Sequence, residues 1–192
     1  MREDRDRPFP PYAFVPGGPW PHPTSHPRGH ARGRPHVPVP PIEGDEWPDS
    51  PSYREGVALF NAGYYWEAHE AWEGLWLALG RRGPTADVLK GLIKLAAAGV
   101  KVRQGQPHGI VTHARRAASL FETARAEGGD RRLGLDLREL IATARRIADE
   151  PPRDPEPPGV PVSRVFSFEI EPCPVSGAHG LRRNADWRAG EG

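Results

Sequence analysis

The side chains able to do chemistry are concentrated in one stretch, Asn61-Ala-Gly-Tyr-Tyr65-Trp-Glu67-Ala-His69-Glu70-Ala-Trp72-Glu73-Gly-Leu-Trp76. His69 and Glu73 are four residues apart, so on a helix an imidazole and a carboxylate stand one turn from each other and can meet. At about 100° per residue, Tyr65, Ala68, Trp72, Trp76 and Leu79 share one apolar face. His69 falls at the edge of that face, Glu70 lies on the far side of Glu73, and Glu67 lies further round. An imidazole and two carboxylates thus line a border between an apolar wall and solvent. Partial burial there raises carboxylate pKa values and a charged histidine lowers them, and groups perturbed in this way carry acid–base or metal chemistry. The plainer reading is that His69 and Glu73 are an ordinary helical pair, a polar brace that satisfies a half-buried histidine. A metal would need a further donor from another helix, since His69 and Glu73 supply only two. His113 is the first candidate for it and His108 the next. Position 73 is Glu, so the pattern is not the His-Glu-x-x-His of a zinc protease.

Five helices have to position these groups. Ser50 reads as an N-cap with Pro51 at the first helical position, and Tyr53, Val57 and Phe60 form an apolar stripe that stops at Gly63. The chemical stretch is a second helix over 64–79. A third, over about 85–103, has an apolar surface wide enough to be central, with Val88, Leu92, Leu95, Gly99 and Val102 on one face and Leu89, Ile93, Ala96 and Val100 beside it. Gly105 and Pro107 break the chain before a fourth helix over about 107–127, which turns Ile110, Ala114, Ala117, Leu120, Phe121 and Ala124 inward. Asp136 and Glu139 have capping-box spacing ahead of a fifth helix over 136–149.

Composition separates this middle from its flanks. The chain has 192 residues, with 24 prolines and 22 glycines. Fourteen prolines fall in 1–51 and eight in 151–174, which leaves Pro84 and Pro107 between. The arm over 1–49 is expected to be extended. Its Phe9, Tyr12, Phe14, Val15 and Trp20 are apolar enough to lie partly on the folded body, and its His22, His26, His30 and His36 read as a docking or solvated arm rather than a metal tract. In the tail over 151–192, Phe166, Phe168 and Ile170 alternate with polar residues like a short extended segment, and the last 18 or so residues read as disordered.

Length allows one domain, not a multidomain enzyme. The net charge is +1, from 26 basic and 25 acidic side chains, so no overall field draws the chain to nucleic acid or lipid. The arginines at 115, 116, 125, 131, 132, 138, 145 and 146 are diluted by acids and read as a solvated face. Cys173 is alone, the first ten residues lack an apolar run, and no stretch is long and apolar enough to span a bilayer. A reduced, cytoplasmic setting is expected.

Phe60-Asn61-x-Gly63-x-Tyr65-x-Glu67-Ala68-His69-Glu70-x-x-Glu73-x-x-Trp76, followed by Gly91-Leu92-Ile93-Lys94-Leu95-Ala96-Ala97-Ala98, closely resembles the DUF309 family of small all-helical bacterial and archaeal proteins. The resemblance covers about 53–124. It implies a helical bundle, with Asn61, Glu67, His69, Glu70, Glu73 and Trp76 at signature positions, and it brings no established activity. Many members carry Gln where this chain has Lys90 and Lys94, so packing of the second and third helices would bring two cations to the signature helix.

The expected fold is therefore all-α: one bundle of about five helices over 50–150, between an extended arm and an extended tail. Two functions stand against each other. In the first, Glu70, Glu73 and His69 form an acid–base site, with or without a divalent metal held by His69, Glu73 and His113. Glu67, Asn61, Trp72 and Trp76 would line the ligand, and Lys90 or Lys94 would take its anionic group. In the second, the signature is a structural brace in a module that binds protein or RNA. Expected partners are a small molecule or a protein; a homo-oligomer is open, and nucleic acid and membrane are not expected.

Overall fold

The Ser50 hydroxyl accepts a hydrogen bond from the Tyr53 N–H at 3.3 Å, and Pro51 follows it, so α1 (Pro51–Asn61) starts where the capping pattern places it. The Asp136 carboxylate does the same at the other end of the fold. It accepts from the N–H groups of Arg138 at 2.8 Å and Glu139 at 3.3 Å, and opens α5 (Leu137–Asp149). Between them run α2 (Tyr65–Ala78), α3 (Pro84–Arg103) and α4 (Pro107–Gly128). The computed structural model of the chain describes residues 9–35, 37–42, 46–153 and 161–174. The expectations for His36 and for 175–192 lie outside the described residues.

Each helix packs on the next, and α3 is central, between α2 and α4. Val88, Leu89, Leu92, Ile93, Leu95, Ala96 and Ala98 are all fully buried on it, which is why its apolar surface is so broad. Two glycines set how closely its neighbours approach. Gly99 lies against the Tyr65 ring of α2, and Gly91 against the Phe121 ring of α4; a methyl group at either would overlap the ring.

The residue pattern does not announce a hairpin, yet one joins α4 to α5. Arg131–Arg132 (β1) pairs antiparallel with Leu135–Asp136 (β2) through the two-residue turn Leu133-Gly134. Both turn residues are left-handed, with φ 53° and 73°, as a tight primed turn requires. Leucine is an unusual first residue for it, but Leu133 is fully buried and its carbonyl accepts the Tyr53 hydroxyl at 2.8 Å. Burial offsets the strain, and the same burial pushes the Tyr53 phenol pKa up. Tyr53→Phe leaves that carbonyl without its donor and is expected to cost about 1–3 kcal/mol in denaturant titration. An unchanged midpoint would show that the bond is dispensable.

Arm and tail both lie on the bundle. Tyr12, Ala13, Phe14 and Val15 are buried, as are Phe166 and Ile170. The tail segment joins no sheet: among the described residues the hairpin is the only one. Phe166 stacks on Phe60 at 5.8 Å and meets Tyr65 edge-on at 5.3 Å. Among the described residues no helix is long and apolar enough to cross a membrane.

Candidate functional site

On α2, Tyr65, Ala68, Trp72 and Leu75 are buried in the core, while His69, Glu73, Trp66 and Trp76 are half-buried and Glu70 is exposed. The border foreseen from the spacing therefore exists. His69 Nε2 stands 3.8 Å from Glu73 Oε1, an ion-pair distance too long for a good hydrogen bond. One donor atom each from His69, Glu70 and Glu73 fall within 4.8 Å of one another. Trp66 stacks on His69 with centroids 6.0 Å apart.

The surroundings set the protonation of this group. Burial lowers the His69 pKa below the ordinary value and the Lys90 and Lys94 charges add to that, while the Glu73 carboxylate opposes them. The imidazole is thus neutral at pH 7, with a lone pair to offer a proton or a metal. Glu70 is raised by partial desolvation and then by Glu73, with His22 opposing. Among the described residues no hydrogen bond ties Glu70 to another element.

Several predicted site residues are elsewhere. Glu67 is the best buried acid of α2, with 8 % of its surface exposed, because the arm covers the side on which it lies. Its Oε1 accepts the Phe14 N–H at 3.0 Å and meets His30 Nε2 at 3.3 Å. Its Oε2 and His30 Nδ1 are buried without a hydrogen-bond partner. Burial raises the carboxyl to about 7, against the pull of the Phe14 N–H. Glu67 is an anchor for the arm rather than a ligand-lining residue. Trp72 is a core residue and not a wall of the site: it is fully buried, and its Nε1 donates to the Tyr53 carbonyl at 3.4 Å. Asn61 faces the tail, donating to the Ile170 carbonyl at 2.9 Å and accepting the Ile170 N–H at 2.8 Å. Trp76 flanks the cluster, but its ring is covered by Lys90 Nζ, 3.6 Å from the centroid. His113 is half-buried on α4 and is not part of the three-donor group, and His108 is exposed.

His22 is the residue that the sequence did not point to. Its ring packs on Phe14 at 4.9 Å and on Trp66 at 5.7 Å, and it lies near enough to Glu70 to act on it electrostatically. Nδ1 accepts from the N–H groups of Thr24 at 3.3 Å and Ser25 at 3.4 Å, which puts the proton of the neutral ring on Nε2. In that tautomer it is a donor and not a metal ligand. The only sequence signal was its place in a histidine-bearing arm, which it shares with His26 and His30. On the arginine-rich face of α4 and α5, Asp130 bridges Arg125 and Arg138 at 2.6 Å each, and Glu122 pairs with Arg145 at 2.9 Å.

A small helical bundle with a His/Glu/Glu donor group at the edge of its second helix is what fold and site define. Residues 53–113 match the family described as "Domain of unknown function (DUF309)". The match spans most of α1, all of α2 and α3 and the start of α4; the arm, α5 and the tail lie outside it. No curated protein and no solved structure matches the chain.

Proposed function

We propose that His69, Glu70 and Glu73 form a metal-assisted acid–base site for a small ligand, in a protein of the reduced cell interior. The observation that carries this reading is the convergence of three donor atoms within 4.8 Å on one helix. One imidazole nitrogen and two carboxylate oxygens suit a borderline divalent ion and leave positions open for water or ligand. His69 would supply the neutral nitrogen, Glu73 the oxygen beside it, and Glu70 a carboxylate able to bind the ion or to take up a proton. The brace reading is supported at Glu67, whose bonds hold the arm, and not at Glu70, which makes no hydrogen bond among the described residues.

Calorimetric titration of the full-length, untagged chain with Zn²⁺ and with Mn²⁺ tests this. One ion per chain is expected, with affinity lowered at least about tenfold by His69→Ala or Glu73→Gln, a loss on the scale seen when metal-site residues are removed. The variants are essential because histidines outside the cluster, the exposed His108 among them, offer imidazoles of their own. Binding that survives both substitutions, or no binding at all, sinks the reading.

A further inference from the structure

The chain has 26 basic side chains, of which three are lysines, and all three lie on α3, at 90, 94 and 101. Spacings of four and eleven residues put them on one stripe of the helix. Everywhere else the chain uses arginine. Lysine differs in being a compact point charge rather than a wide planar fork, so this stripe has a distinct chemistry.

Packing places the stripe against the candidate site. Gly99 lies on Tyr65, and Lys90 lies over Trp76. These two contacts align α2 antiparallel to α3 and set Lys94 level with the stretch between His69 and Glu73. On the other side Gly91 lies on Phe121, and the Lys101 stem lies on Gly109. That antiparallel register sets His113 of α4 between the levels of Lys94 and Lys101. The mutual influences agree with it: burial first, and then the nearby Lys94, Lys101 and His69, lower the His113 pKa.

The partners of the stripe are uneven. Lys101 donates to Gln104 and Gln106 at 2.8 Å each, and Lys90 sits on Trp76. Lys94 and His113 are half-buried, and among the described residues neither has a hydrogen bond or ion pair. A half-buried cation without a counter-charge is costly. A divalent ion on the α2 cluster would leave it more so, because the ion's charge balances Glu70 and Glu73 and nothing then balances Lys90 and Lys94.

We infer that Lys94 and His113 form an oxyanion subsite, so that the ligand of this centre carries a carboxylate or phosphoryl group beside the point where His69, Glu70 and Glu73 act. Lys94 gives the charge and His113 an N–H donor. The inference rests on the proposed function for the identity of the centre, and it moves His113 from metal ligand to ligand-binding residue.

The test is titration of the full-length, metal-free chain with inorganic phosphate and, separately, with acetate. The readout is the His113 ring resonances by NMR, assigned through their loss in His113→Gln. A saturable change in resonance position is expected, weakened at least about tenfold by Lys94→Gln and unchanged by Arg145→Gln; the tighter of the two ions names the ligand class. Thermal melts check that the variants fold, and Lys94→Met, which keeps the stem packed, replaces Lys94→Gln if that one does not. A response that never saturates, or one that survives loss of the Lys94 charge, overturns the inference. Metal binding without oxyanion saturation overturns it alone. Oxyanion saturation without metal binding overturns the metal reading alone.

Discussion

A chain lacking residues 1–40 melts about 4–20 °C below the full-length protein, given about 2–4 °C per kcal/mol for a domain of this size. The arm inserts Tyr12, Ala13, Phe14 and Val15, each less than a tenth exposed. A fully buried Val or Phe side chain contributes about 1.5–3 kcal/mol. Fixing the arm's backbone costs about 1–2 kcal/mol per residue, so the net loss on deletion is set at about 2–5 kcal/mol, a fraction of the gross burial. The Phe14 N–H to Glu67 bond and the stacking of Tyr12 on Trp20 at 5.2 Å go with it. Differential scanning calorimetry of the two chains measures the effect. Coincident melts would mean that the arm rests on the bundle without holding it.

That arm also marks the limit of what could be read from residue order. The five helices were legible because each is amphipathic and punctuated: Ser50 and Asp136 cap their helices as their residue types require, and Gly63, Gly105 and Pro107 break the chain between others. The His69–Glu73 meeting was legible because a separation of four fixes it on any helix. Glu67 was misplaced for the opposite reason. Helical geometry alone puts it away from the core face, and only packing of a distant, irregular segment buries it. Trp72 and Asn61 were misassigned in the same way. Their partners, Tyr53 and Ile170, lie 19 and 109 residues away, beyond any local pattern. The Leu133-Gly134 turn lacks the usual Asn-Gly or Asp-Gly signal, since tertiary burial of the leucine replaces it.

Glu67→Gln stabilises the protein at pH 8 by about 1–3 kcal/mol and changes it little at pH 5. The folded carboxyl titrates near 7 against an ordinary value of 4.5, so between these values the folded state binds more protons than the unfolded state. Stability from this group is therefore full below about 4.5 and is lost as pH rises through 7. A tenfold difference in proton affinity between the two states corresponds to about 1.4 kcal/mol. Glutamine resembles the neutral acid: its Oε1 can still accept from Phe14 and His30. His30 has the opposite sign, because burial and Arg34 lower its pKa; its contribution is present above 6.5 and lost as pH falls. Urea titrations of both chains at pH 5 and pH 8 decide the matter, and parallel pH dependences would show that Glu67 is not held neutral.

The tail is held in an unusual way. Asn61 takes both the amide and the carbonyl of Ile170, the Tyr65 hydroxyl accepts the Val165 N–H at 3.0 Å, and Arg103 donates to the Ser163 carbonyl. All of these grips seize main-chain atoms, which every amino acid except proline at an amide position provides. Between them Ser167 is exposed and Glu169 pairs only with Arg164 at the surface, so the information needed to seat the segment lies in its apolar side chains, Phe166 and Ile170 buried and Phe168 packed on Phe60 and Phe166. A scan of substitutions along 163–170 would read as sharp peaks at Phe166 and Ile170, a lesser one at Phe168, and a low baseline at the exposed Ser167 and Glu169.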